Sequence, residues 1–204
     1  MSYPSEWKAY CQWLRNGERS LPERVSQSEL NRFSARYRLA STFEGIETGD
    51  YSDETKNAYG AVLKAFLAYS ALEQLHKAVK PADNGQHLIE RWGTMATEPA
   101  SELRECETIL VFLENRILEE MENNNNRGRT LLGRLQDFRL GNSDNCLSVA
   151  TALRNAVAHG FMSVHPKGTS PRTADRFCSR IAMLLTEIAD REFSSLVVEL
   201  TCQE

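Results

Sequence analysis

The sequence predicts an all-α protein, an antiparallel helical bundle, and two observations predict it. Apolar residues recur at steps of three and four in nearly every segment that has a period. Strand-like alternation is scarce, and polar stretches or Gly and Pro residues separate the periodic segments.

The elements follow in order. A first helix is expected over 5–16, with Trp7, Tyr10, Cys11 and Leu14 on one face. A second starts near Ser28, buries Leu30, Phe33, Tyr37 and Ala40, takes in Ile46, and is ended by Gly45 and Gly49. Asp53 then reads as the N-cap of a long central helix running towards Pro81. Its broad apolar surface is Tyr59, Val62, Leu63, Phe66, Tyr69, Ala71, Leu72, Leu75 and Val79. Residues 81–99 form a connector with one short helical turn. Pro99 suits the start of a helix carrying Leu103, Cys106, Ile109, Leu110, Leu113, Ile117 and Leu118, whose other face is acidic. The run "NNNNRGR" (123–129) is a polar turn or a disordered loop, and "TLLGRLQDFRL" a short helix bearing arginine. Asn142 or Ser143 caps a helix that stops at Gly160. A loop leads from there to the last long helix, "TADRFCSRIAMLLTEIADREFSSLVVEL".

Bulk composition narrows the function. A chain of 204 residues fits one domain with an appendage, here an N-terminal helical extension (1–50) and a bundle (51–204). With a net charge of −4 the chain as a whole is no nucleic-acid binder, so any RNA contact needs a local patch. Cysteines 11, 106, 146, 178 and 202 are odd in number and form no CxxC pair, which fits reduced thiols in a cytoplasm. The N-terminus lacks a signal-peptide pattern, and no run approaches 18 apolar residues, so no membrane association is expected. There is no HExxH, no Cys/His cluster and no phosphate-loop or dinucleotide glycine pattern, so neither a metal nor a cofactor is expected.

The chemistry concentrates in "ALRNAVAHGF" (152–161). On a helical wheel Leu147, Ala150, Leu153, Val157 and Phe161 fall within roughly 120° and make the core stripe. Asn155 and His159, four apart, share a face roughly 160–200° from its centre, and Arg154 sits near its edge. Thr151, Ala152 and Ala158 lie between, all small, a face that permits close approach by another helix or a second copy of the chain. Histidine moves protons near neutral pH. Arginine offers a permanent charge and a planar fork for phosphate oxygens. Together they suit RNA cleavage, where the 2′-hydroxyl attacks the adjacent phosphodiester. One histidine can hardly act as base and acid at once, whereas two copies across a two-fold axis can. Asn155 can bond the phosphate or fix the imidazole tautomer.

"LRNAVAHG" resembles the Arg-x4–6-His motif of the HEPN superfamily, with Asn155 as the usual polar residue after the arginine. "AFLAYSALEQLHKAV" is similar to that superfamily's long early helix. The resemblance spans roughly 53–200. It implies a helical bundle that dimerises with its motifs face to face and a metal-independent endoribonuclease activity. Arg154 would be the phosphate-binding cation, His159 the proton-transfer residue and Asn155 their companion. It also implies a toxin or anti-phage effector with a possible antitoxin or inhibitor protein as partner. Some members of the superfamily are nucleotide-binding or scaffold proteins. The alternative expectation is therefore a non-catalytic helical dimer that binds a partner or a nucleotide.

Other candidates are weaker. Lys167 and Arg172 follow the motif and can meet RNA phosphates, or belong to a solvated loop. Arg127, Arg129, Arg134 and Arg139 against Asp137 give a local excess of positive charge, as do arginines 15, 19, 24, 32, 36 and 38 against three glutamates. Either is an RNA track or an ordinary solvated face. Glu73 can brace Arg154 from the central helix. His76 and His87 read as bystanders.

Overall fold

The computed structural model describes residues 3–16, 21–79, 88–122, 126–165 and 168–202. Their regular structure is helical: α1 (Trp7–Arg15), α2 (Gln27–Thr42), α3 (Asp53–Ala78), α4 (Leu88–Trp92) with a 3-10 turn Gly93–Met95, α5 (Ala100–Arg104), α6 (Glu107–Glu122), α7 (Asn126–Arg139), α8 (Cys146–Ala158) and α9 (Pro171–Thr201). The only extended pairing among the described residues is an isolated bridge between Val25 and Val79. No helix among them is long and apolar enough to cross a membrane.

The framework is α3 against α9, with α2 on another side of α3. Ser52 rather than Asp53 caps α3, its hydroxyl accepting from the Thr55 N–H, while Asp53 and Glu54 fill the first turn and favour the positive helix end. Of the apolar surface that the sequence predicts for α3, Val62, Tyr69, Ala71, Leu72 and Leu75 are buried, as is Val79 just past its end, and the buried face also takes in a seam of alanines that the prediction left out. Ala58, Ala61, Ala65, Ala68, Leu72 and Leu75 recur at steps of three and four and are at most 5% exposed, whereas Leu63 is 37% exposed and Tyr59 and Phe66 are half-buried. Small side chains let neighbouring helices approach closely, which is why the seam runs through alanine. Helices α1 and α2, from the segment expected to form an extension, join the same core. Tyr10 and Phe33 are fully buried against Phe193 of α9, with ring centroids 5.8 and 5.5 Å away.

Three expected boundaries shift. Helix α7 starts at Asn126, inside the run 123–129 expected as a turn or a loop. Helix α2 ends at Thr42, before its glycines. The helix after Pro99 is two, α5 and α6, broken at Glu105 and Cys106; Leu103, Cys106, Ile109, Leu110, Leu113 and Ile117 are buried across the break, while Leu118 is exposed. The expected connector also holds more than a turn. Leu88, Ile89 and Trp92 of α4 are buried, and the Trp92 indole N–H donates to Glu192 Oε2 (2.6 Å).

These pieces surround α8. Helix α7 closes in a left-handed turn at Gly141 (φ +80°), where the Asn142 N–H reaches Asp137 O (2.8 Å). Asn142 and Ser143 thus belong to the end of α7. The cap of α8 is Asn145, whose side chain accepts from Leu147 N (3.1 Å) and donates to Ile89 O (3.3 Å). Arg104 fixes the turn between them, donating to Phe138 O and Ser143 O (both 2.8 Å) and pairing with Asp144.

Candidate functional site

Helix α8 is buried on every side from Cys146 to Leu153, ringed by α3, α4, α6 and α7. This corrects the expectation of an open face of small residues. Thr151 (7% exposed) and Ala152 (1%) pack inside the chain's own bundle, and the Thr151 and Tyr69 hydroxyls share a hydrogen bond (3.1 Å) that ties α8 to α3. Burial pushes the Tyr69 phenol upward from its ordinary value, so it stays a neutral partner.

Only the last turn and a half of α8 emerges. Arg154 and Asn155 are half-buried, Ala158 and His159 exposed. His159 is the C-cap residue, its N–H bonding Asn155 O (3.0 Å). Gly160 then takes φ +72°, and its N–H and that of Phe161 return to Val157 O (3.0 Å) and Ala156 O (2.8 Å). A left-handed residue there favours glycine, and the paired return bonds satisfy the helix's last carbonyls. The turn also carries Phe161 off the helical path. Expected in the core stripe, Phe161 is 41% exposed, while Val157 is only half-buried.

The site side chains are held from neighbouring helices. Arg154 Nη2 lies 3.6 Å from Glu73 Oε1 of α3, and its guanidinium 6.0 Å from the Tyr69 ring centroid. Asn155 turns its side-chain oxygen to Arg154 Nη1 (3.3 Å) and thereby steadies the guanidinium. His159 Nε2 lies 3.7 Å from Glu120 Oε1 of α6. Its ring stacks on Phe161 (6.0 Å, 26° between planes). Glu120 and Phe161 were not singled out by the sequence as site residues. The i, i+4 rule sees neighbours along one helix, and Glu120 arrives from another.

A groove of about 540 Å³ opens beside Arg154. Tyr69, Glu73, Thr151 and Asn155 line its floor near the arginine, and Arg134 and Glu90 line it farther along, paired at 2.7 Å. A planar anion entering it would meet two guanidinium groups, each with a carboxylate neighbour that holds it in place and competes for it. His159 lies outside this groove's lining, on the side of α6.

The remaining candidates scatter. Arg129 is exposed on α7 and Arg172 is exposed at the start of α9, and neither lines the groove. Lys167, the Arg127 side chain and His87 lie outside the described residues. Of the α7 arginines, Arg134 pairs with Glu90, and Arg139 with Glu114 (2.7 Å) and Glu107 (3.6 Å). In the N-terminal cluster Arg24 pairs with Glu199 (2.8 Å) and Arg32 with Glu29 (2.7 Å), while Arg36 donates to Ser70. A count of charge within one segment overstates these patches, because carboxylates of distant segments fold onto them. His76 packs edge-on against Trp92 (5.5 Å). Comparison with protein-family models, with characterised proteins and with solved structures finds no match.

Proposed function

We propose that the protein is a metal-independent endoribonuclease of the HEPN type that works in the cytoplasm as a homodimer. One observation carries the reading. Arg154, Asn155 and His159 occupy the one emergent end of an otherwise buried helix, and carboxylates on α3 and α6 stand beside the guanidinium and the imidazole. In the proposed reaction Arg154 neutralises the phosphate's extra charge in the transition state. His159 removes the 2′-hydroxyl proton, the 2′-oxygen bonds to phosphorus, and the bond to the 5′-oxygen breaks. The second protomer's His159 protonates that leaving oxygen. The products are a 2′,3′-cyclic phosphate and a 5′-hydroxyl. Toxin or anti-phage activity, restrained by an inhibitor protein, is the physiological role this chemistry suits.

Incubation with total RNA tests the reading. Wild type should cleave in EDTA, and His159→Ala should not. Arg154→Ala should lose at least about a hundredfold in turnover while keeping its helical signal and melting transition. Cleavage abolished by EDTA and restored by a divalent ion would overturn the mechanism.

A second reading has its own observation. Both Arg154 and His159 already have a carboxylate of their own chain, and the groove at Arg154 leaves His159 out. A non-catalytic helical dimer that binds a partner or a nucleotide fits that arrangement. Equal, negligible cleavage by wild type and His159→Ala would favour it.

A further inference from the structure

The imidazole of His159 is gripped on two sides by residues outside the motif. Its Nε2 edge faces Glu120 Oε1 at 3.7 Å. Its face stacks on Phe161, and Phe161, itself exposed, is tied back to the core through Arg116. The Arg116 guanidinium lies 5.5 Å from the Phe161 ring centroid and 5.2 Å from that of Phe112, which is 4% exposed. Arg116 is itself paired with Glu119 one turn along α6. A column therefore runs from the buried Phe112 through Arg116 and Phe161 to the exposed imidazole, and α6 supplies both its cation and the carboxylate at the ring's edge.

From this geometry we infer that Glu120 and Phe161 are positioning residues for His159, and that Nδ1 is its reacting nitrogen. The inference rests on the ribonuclease reading for its chemical meaning. A carboxylate beside Nε2 favours the tautomer in which Nε2–H donates to it, which leaves the Nδ1 lone pair for substrate. Such contacts are often loose before substrate binds and tighten in the complex, and 3.7 Å fits that state. Phe161 limits rotation of the ring out of that orientation. In the reaction the 2′-hydroxyl proton passes to Nδ1 as the 2′-oxygen attacks phosphorus. The imidazolium so formed carries a second donor at Nδ1, while its Nε2–H stays directed at Glu120. In the other protomer the Nδ1 proton goes to the departing 5′-oxygen.

Two readouts separate this inference from the reading beneath it. The first is imidazole ¹⁵N–¹H spectroscopy above neutral pH, with the His159 signal assigned by its loss in His159→Ala. The proton of neutral His159 should sit on Nε2 and exchange slowly enough to be seen. It should persist in Glu120→Gln, which keeps an acceptor oxygen, and vanish in Glu120→Leu. A proton on Nδ1, or a signal unchanged in Glu120→Leu, overturns the inference. The second is cleavage of a single-stranded RNA. Glu120→Leu and Phe161→Ala should each lower kcat about tenfold or more at unchanged KM, the range seen when a residue orienting a functional histidine is lost, and Glu120→Gln should recover most of it. Full activity in Glu120→Leu overturns the inference as well. A wild type that cuts no RNA yet shows the anchored Nε2 proton overturns the ribonuclease reading and supports the anchoring.

Discussion

At the scale of single residues, glycines make the sharpest contrast because the surroundings of each fix what a methyl group would do. A Cβ on Gly93 would fall 2.1 Å from Asn145 Nδ2 and 2.8 Å from its Cγ. That amide is the cap of α8 and holds bonds to Leu147 and Ile89, so it cannot swing aside without releasing them. Gly93→Ala is expected to destabilise the fold by about 1–2 kcal/mol, the cost of a lost N-cap with local overpacking. Gly133, inside α7, has nothing within 4 Å of its Cβ position, and Gly133→Ala should gain about 0.5–1 kcal/mol from the reduced freedom of the unfolded chain. Denaturant midpoints of the two variants should move in opposite directions. Equal shifts would mean that the close packing of Gly93 on the cap is not what the site requires.

At the scale of elements, α3 decides how closely the bundle packs. Its seam residue Ala65 is 2% exposed, and a larger side chain there must force α3 away from a neighbour. Ala65→Leu should cost about 1–3 kcal/mol, whereas Leu63→Ala on the outer face of the same helix should cost far less. Thermal unfolding of the pair checks the ordering, and a harmless Ala65→Leu would relocate the seam. The same helix shows what was legible in the sequence and what was not. Periodicity located α2, α3 and α9 because a helix must present its buried residues every three or four positions. On α3 it placed Val62, Tyr69, Leu72 and Leu75 inside correctly, but it also counted Tyr59, Leu63 and Phe66 and passed over the alanines at 58, 61, 65 and 68, whose small size lets helices approach closely. It missed the break between α5 and α6 because the apolar steps keep their spacing through Cys106. It placed the cap of α8 two or three residues early because Asn142, Ser143 and Asn145 all have capping side chains, and only the return bonds at Gly141 assign the first two to α7. At the site, Arg154, Asn155 and His159 were legible as one motif on one helix. Glu73 was legible as a brace for Arg154. Glu120 and Phe161 were not, one because it comes from another helix and the other because a left-handed glycine redirects the chain.

At the scale of the whole molecule, the question is how many imidazoles the proposed chemistry needs. Each chain carries one His159 at the end of α8, and transesterification of RNA needs a base on one side of phosphorus and an acid on the other. In the proposed homodimer a twin subunit related by a two-fold axis would supply the second imidazole without any new residue, provided that His159 lies near that axis. The requirement has a stoichiometric consequence that a single-chain nuclease cannot imitate. Wild type mixed with His159→Ala, denatured together and refolded so that subunits pair at random, forms wild-type pairs in proportion to the square of the wild-type share. At equal amounts about a quarter of the full activity should remain, instead of the half expected if each chain cut alone. Arg154→Ala mixed in the same way should poison activity less steeply if one guanidinium per pair suffices to hold the phosphate. Activity falling in simple proportion to the wild-type share in the His159→Ala series would assign both proton transfers to one chain. Base and acid would then have to be sought among the groups beside His159 on the same protomer, of which Glu120, 3.7 Å from Nε2, is one.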